Sequence, residues 1–262
     1  MDKSNDIKLN TIGKAVSILE TIKIAKRPLS IKDIAKSVGL NKSSIHHHIK
    51  TLTTHGYLQQ DKETRKYDIG LSLVSVGQAY LQRLDVRGRG HLFLEELSSK
   101  LNETVHMLVL DHNKAVYVDK IDVYQKPGAL QCSSYVGLRT DVYSTASGKV
   151  LLSYLEPDAL NMILEDIEFN PITTYTITNK ADFEKEIIAT KERGYGLDLQ
   201  ENALGQGCIA VPIWNLNSEC VAAVSVSCTI ENASQEALER DVLATLKETG
   251  DKISEAMGYV PE

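Results

Sequence analysis

In "TIGKAVSILETIKIAKR" apolar residues recur at Ile12, Ala15, Val16, Leu19 and Ile22, which predicts a helix from Thr11 to Arg27 with that stripe buried. "RPLS" interrupts it. Ser30 is placed to cap a second helix, "IKDIAKSV", whose inner face is Ile31, Ile34, Ala35 and Val38 and which Gly39 ends. Asn41 can cap a third helix from Lys42 to about Thr54, stopped by Gly56. Two short helices joined by a tight turn form a helix-turn-helix. The period then shortens. "YLQQ" and "KYDI" read as two strands around the charged turn "DKETR", a small hairpin with Lys62, Arg65 and Lys66 at or beside its tip. A helix-turn-helix followed by a basic hairpin is a winged-helix arrangement.

The third helix contains three consecutive histidines, His46, His47 and His48. Consecutive helical residues point about 100° apart, so the three cannot converge on one metal ion; helical metal pairs need i, i+4 spacing. The run is also short and internal, unlike a tag. Ile45, His48, Ile49 and Leu52 fall on one stripe that should pack inward, with His48 half-buried. Ser43, His47, Lys50 and Thr54 fall opposite, with His46 and Thr51 near the edges. The candidate DNA contacts are Lys42, Ser43, Ser44, His46, His47, Lys50 and Thr51 on the helix, with Lys62, Arg65 and Lys66 on the hairpin.

"LSLVSVGQAYLQRLD", from Leu71 to about Asp85, reads as a helix with Leu71, Val74, Leu81 and Leu84 apolar, weakened at Gly77. "VRGRG" marks a boundary, and a further helix is expected from about His91 to Leu101. The remainder alternates. "ETVHMLVLD" and "KAVYVDKID" are strands around the turn "HN", and "GALQCSSYVG" reads as another strand. "STASGKVLLSYL" opens a helix, with Pro157 interrupting just after it. "NKADFEKEIIATKERGY" is an amphipathic helix with Phe183, Ile187 and Ile188 inward, ended near Gly194. "GCIAVPIWN" and "ECVAAVSVSCT" are apolar strands around "LNS", and one long helix from about Ser234 to Gly258 closes the chain. Strands joined by short turns, with helices grouped around them, give an α+β class built on an antiparallel sheet. The expected division is 1–70 for the winged helix, 71–88 for a linker helix and 89–262 for the second domain.

Charge sharpens this division. The chain carries a formal −6, but residues 1–69 hold 13 Lys+Arg against 7 Asp+Glu, a net +6, and the rest is strongly acidic. A basic module on an acidic body can still bind phosphates, because distant charges are screened over a Debye length of about 10 Å. No apolar run reaches the roughly 18 residues of a membrane span. A polar N-terminus and four cysteines without paired spacing point to a cytoplasmic protein with reduced thiols.

Catalytic motifs fail one by one. "YSTASGKV" lacks the glycine and Ser/Thr of a P-loop at Tyr143 and Val150, and Ala146 stands where a Ser-x-x-Lys nucleophile would be. What remains is a small-residue turn entering a helix. It is either a place for an anion at free N–H groups or ordinary capping by Ser144 or Thr145. His91, His106 and His112 are scattered, so no metal and no cofactor is expected. Asp198 and Cys208 in "GYGLDLQENALGQGCIAVPI", with Ser225 and Ser227 two apart on the neighbouring strand, either line a small pocket or are turn and strand chemistry. The enzyme alternative, with Cys208 or Asp198 at an active site and the helix-turn-helix as an appendage, lacks a base within a nucleophile motif.

"LSIKDIAKSVGLNKSSIHHHIKTLTTHGYLQQDKETRKYDIG", "YVGLRTDVYSTASGKVLLS" and "GYGLDLQENALGQGCIAVPIW" occur in that order, and over essentially its whole length the chain resembles the IclR family of bacterial transcription regulators. The resemblance implies a winged helix, a linker helix and a GAF/PAS-like domain that binds a small effector. It also implies double-stranded DNA with a palindromic operator as partner, and homodimers, possibly paired as dimers of dimers. The family's effector pocket maps onto Asp198, Cys208, Ser225 and Ser227. Ala146, Ser147 and Gly148 fall at its pocket turn, and Ala129 and Cys132 on a wall strand. Gln206 stands where relatives binding small keto acids have an apolar residue. The look of the sequence is nearest the sugar-acid branch, so the implied protein is a non-enzymatic regulator, a repressor, controlled by a carboxylate such as a sugar acid or keto acid.

Overall fold

The computed structural model describes residues 10–122, 133–229 and 234–261. The chain divides into two compact units, 1–81 and 82–262.

The first unit is three helices and a hairpin. Asn10 caps α1 (Thr11–Ala25). Ser30 and Asp33 form a reciprocal capping box at the start of α2 (Ile31–Val38), and Gly39 ends it with φ 70°, a left-handed conformation that glycine adopts without steric cost. Asn41 caps α3 (Lys42–Thr54) through the Ser44 N–H. The strands β1 (Leu58–Gln60) and β2 (Tyr67–Ile69) pair antiparallel, and Leu29 bridges to Tyr67. Ile18, Ile22, Leu29, Ile34, Ile45, Ile49, Leu58 and Tyr67 form the core. One expectation fails here: Ile12 and Val16 are 74% and 52% exposed, and the buried stripe of α1 is centred on Ile18 and Ile22. The helix α4 (Ser72–Leu81) follows with no buried residue, and the apolar Leu71 and Val74 lie exposed.

The helix α5 (Asp85–Leu101) runs straight through "VRGRG". The break in the chain therefore falls at 82–84; of the two glycines, Gly88 has open space around it and Gly90 lies against a neighbour. A Cβ on Gly90 would come within 2.5 Å of the Met107 Cε, so glycine lets α5 settle against the sheet.

The second unit carries a six-stranded antiparallel sheet in the order β5-β4-β3-β8-β7-β6, from β3 (Thr104–Asp111), β4 (Lys114–Ile121), β5 (Arg139–Asp141), β6 (Gly196–Leu199), β7 (Gln206–Trp214) and β8 (Cys220–Thr229). The strand expected over 128–137 is not found in its described part; the strand is β5, just beyond it, and 128–132 lie outside the described residues. The helices α5 and α10 (Leu243–Ala256) cover one face, packed on each other. The other face is covered by α6 (Ala146–Ser153), with α8 (Lys180–Arg193) behind it. Pro157, expected only to stop a helix, is the first residue of another, α7 (Pro157–Asp166), as its missing N–H allows. The closing helix is two: α9 (Gln235–Asp241) and α10, separated at Val242. On α8, Phe183 and Ile187 are buried, but Ile188 is 59% exposed, since it lies about 100° around the helix from Ile187 and off the buried stripe.

Gly148 sets how closely α6 approaches the chain before it. An added Cβ would lie 2.3 Å from the Val142 carbonyl oxygen and 2.4 Å from its Cα, both backbone atoms. Gly148→Ala is expected to destabilise the second unit by about 1–3 kcal/mol or more, read as a lower melting temperature in calorimetry. An unchanged melting temperature would show that this approach is not tight.

Candidate functional site

Two places gather the residues singled out above. The first is the outer side of α3 with the hairpin. Ile45 and Ile49 are buried, Leu52 is partly so, and His48 lies inward with them, its pKa lowered by burial and then by the nearby His47 and Lys14. His46, His47, Lys50 and Thr51 are exposed, and Ser44 is half-buried near the Asn41 cap. Lys42 and Ser43 form the start of the helix; their side chains lie outside the described set. In the hairpin, Asp61 Oδ1 accepts the N–H groups of Glu63 and Thr64 and the Thr64 hydroxyl. Those bonds lower its pKa and fix a turn from which Lys62, Arg65 and Lys66 all reach solvent. The unit thus presents a hydrophilic helix face and a basic hairpin tip, both anchored from behind by one apolar core.

The second place is a cavity between the sheet and the start of α6. It is lined by His106, Leu108, Tyr117, Thr145, Ala146, Ser147, Asp198, Asn202, Gln206, Cys208, Ser225 and Ser227. Register explains the convergence. Asp198 pairs with Cys208 and Cys208 with Ser227, so three neighbouring strands place these side chains on one rung. On the next rung, Ser225 stands between Ala210 and His106. Cross-strand neighbours share a face, so a polar row crosses a sheet face that is otherwise apolar. Its members are tied together: Cys208 Sγ lies 3.2 Å from Ser227 Oγ, and Gln206 Nε2 donates to Cys208 Sγ at 3.3 Å.

Asp198 is buried and accepts the N–H groups of Glu201 and Asn202, at 2.7 and 3.3 Å. Burial, and then the Glu201 charge, nonetheless push its carboxyl up to about 7, against the pull of Lys149 and these N–H groups. His106 moves the other way: burial, with Lys120 beside it, holds its pKa down at about 3, so its ring is neutral. Among the described residues the lining holds no lysine or arginine.

Of the residues assigned to the pocket, Ala146, Ser147, Asp198, Gln206, Cys208, Ser225 and Ser227 do line this cavity. Gly148 does not; its N–H is taken by Thr145 Oγ1, the helix cap, and its Cα faces Val142. Ala129 and Cys132 lie outside the described residues. The lining also includes His106, Leu108, Tyr117, Thr145 and Asn202, which the sequence patterns do not assign to the pocket. In the sequence His106 is only one of three scattered histidines. No group of His, Cys, Asp or Glu among the described residues is arranged to hold a metal ion, and no helix there is long and apolar enough to cross a membrane.

Comparison with known proteins supplies the context. Residues 11–62 match the IclR helix-turn-helix domain, and residues 78–255 the bacterial transcriptional regulator IclR C-terminal domain. The chain is 35% identical to the HTH-type transcriptional regulator XynR of Escherichia coli K12, over 96% of this chain and 98% of that one. The crystal structure of the Thermotoga maritima IclR superposes with a TM-score of 0.76 at 32% identity, covering 95% of this chain and 99% of that one. An IclR homologue of Microbacterium hydrocarbonoxydans, crystallised with 4-hydroxybenzoate, shares the fold with a TM-score of 0.81 at 20% identity, over 95% and 99% of the two chains. A winged helix with an exposed basic face, an antiparallel sheet domain enclosing a polar row, and these likenesses along nearly the whole chain agree: the chain belongs to the IclR family, and it is a DNA-binding transcriptional regulator rather than an enzyme.

Proposed function

We propose that the chain is a cytoplasmic repressor that binds a palindromic operator as a homodimer, or as a pair of dimers, and that a small carboxylate in the cavity of the second unit controls its DNA affinity. The observation that carries this reading is the polar row across the sheet beneath the start of α6. Hydrogen-bonding groups placed in an apolar wall fix the orientation of a small ligand. Asp198, Cys208, Ser225 and Ser227 offer it hydroxyl, thiol and carboxyl partners, and the first turn of α6 at Ala146 and Ser147 offers N–H groups to a carboxylate. An Asp198 that is readily protonated leaves the cavity tolerant of an anion. The likeness to a homologue crystallised with 4-hydroxybenzoate, itself a carboxylate, supports the same class.

The enclosed space is about 20 Å³, room for a water molecule rather than a sugar acid. A ligand must therefore part the walls, so the bound and free states differ in shape. A ligand changes DNA affinity only if it binds those states unequally. The test is a thermal-shift screen of sugar acids and keto acids, followed by anisotropy titration of a duplex from the region upstream of the gene. An acid that saturates the site at about a hundred times its Kd should stabilise the fold by about 2.7 kcal/mol and change operator affinity by about 5- to 150-fold. Asp198→Asn with Ser227→Ala should remove both effects. An acid that stabilises the fold without altering DNA affinity would sink effector control.

A further inference from the structure

His106 is a buried histidine in the middle strand of a sheet, and such residues are ordinarily satisfied core groups. Its surroundings differ from that pattern. The ring lines the cavity, stands edge-on to the Tyr117 ring at 5.1 Å between centroids, and neighbours Ser225 across the strand pair. Its Nε2 lies 2.8 Å from the hydroxyl of Ser134. Ser134 is held a second time and independently: Lys120 Nζ donates to its backbone carbonyl at 2.8 Å. The serine hydroxyl can therefore leave the ring by a side-chain rotation while the backbone stays tethered.

We infer that His106 is the residue by which this cavity discriminates among acids: its Nε2 takes a hydroxyl on the ligand's far end, in place of the Ser134 hydroxyl, and so favours hydroxy acids of four or more carbons over short keto acids. The inference rests on the effector reading above and names the ligand end that reading leaves open. A neutral imidazole has no charge for a carboxylate but pairs well with a hydroxyl, as donor or acceptor. Length decides the rest. Asp198 on β6 and His106 on β3 are three strand spacings apart, about 14 Å between backbones. Side chains from both ends narrow that gap. A three-carbon keto acid is about as long as one strand spacing and reaches one end only, whereas a hydroxy acid of four to six carbons can engage both.

Calorimetric titration of the full chain with gluconate, xylonate and galactonate, and with pyruvate and glyoxylate, tests this. At least one hydroxy acid should bind the wild type more tightly than either keto acid. His106→Leu should weaken that acid at least tenfold and His106→Gln less, while pyruvate affinity changes by under twofold. Ser134→Ala should tighten the hydroxy acid severalfold, because no internal bond has to break first; this variant keeps the test intact if His106→Leu does not fold. A hydroxy acid unaffected by all three substitutions overturns the inference. Tight binding of pyruvate or glyoxylate alone overturns it too but leaves the carboxylate-effector reading standing. No binding by any probe removes both.

Discussion

Lys149→Met is expected to cost the second unit about 3–5 kcal/mol, the penalty for stranding one member of a buried ion pair, and to lower its melting temperature by about 10 °C. Lys149 is 1% exposed, within α6. Its ammonium donates to the Leu197 carbonyl at 2.7 Å and to the Glu201 carboxylate, with Glu186 3.9 Å away and Arg193 in turn on Glu186 at 2.6 Å. Glu201 is already held above its ordinary pKa, chiefly by burial, with Lys149 the main opposing influence. Its Oε2 has no hydrogen-bond partner among the described residues. Remove the ammonium and Glu201 must either stay charged without compensation or take up a proton. A carboxyl raised further above its unfolded value favours the fold at low pH and loses that contribution as pH rises. The defect should therefore be smaller at pH 5 than at pH 8. Glu201→Gln added to Lys149→Met should recover part of the loss, because the pair then leaves no charge of its own buried. Glu201→Gln alone should be milder, since Lys149 keeps Glu186. A Lys149→Met chain that melts like the wild type at pH 8 would show that this pair contributes nothing.

Lys149 also marks where the sequence stops being legible. "YSTASGKV" fits neither a phosphate loop nor a nucleophile motif. Its structural partner is Glu201, 52 residues away, and no local pattern announces such a pair. Local signals fared better. Ser30, Gly39 and Asn41 act where their side chains or conformational freedom predict, because capping is decided within four residues. The two faces of α3 also follow from its spacing. The buried stripe of α1 does not: apolar residues lie on more than one side of it, and packing against α2 and α3 selects Ile18 and Ile22 over Ile12 and Val16. "VRGRG" misled for a related reason. Glycine reads as a breaker, whereas Gly90 is small because Met107 lies against it. Within the cavity, Asp198, Cys208 and the paired serines were legible through the family motif and the period of two. His106 was hidden, because the strand from Thr104 is buried on both faces over its first six residues and shows no alternation to single out a polar position.

Lys50→Ala combined with Arg65→Ala is expected to weaken operator binding about 100-fold per half-site, roughly tenfold for each charged contact removed, and so about 10,000-fold for a homodimer on both half-sites. The two residues sit on different elements, α3 and the turn between β1 and β2, so their losses should add. Both are exposed, and neither belongs to the core that holds α3 against α1 and α2. The double variant should thus keep the wild-type melting temperature and its response to any effector. Salt dependence identifies the kind of contact. If both side chains neutralise phosphates, the slope of log affinity against log salt should fall by about two per half-site, about four for the homodimer, and binding should weaken alike on operator and unrelated duplex. His47→Ala should behave differently, lowering operator affinity more than that for unrelated DNA, if from the exposed face of α3 it meets base edges as well as phosphates, as we propose. Anisotropy titrations at several salt concentrations read both variants. Unchanged affinity in the double variant would mean that the face of α3 and the hairpin do not lie against the duplex. A large loss with an unchanged slope would mean that they do, but through bases rather than the phosphate backbone. The basic charge of residues 1–69, set on an otherwise acidic chain, favours the phosphate outcome.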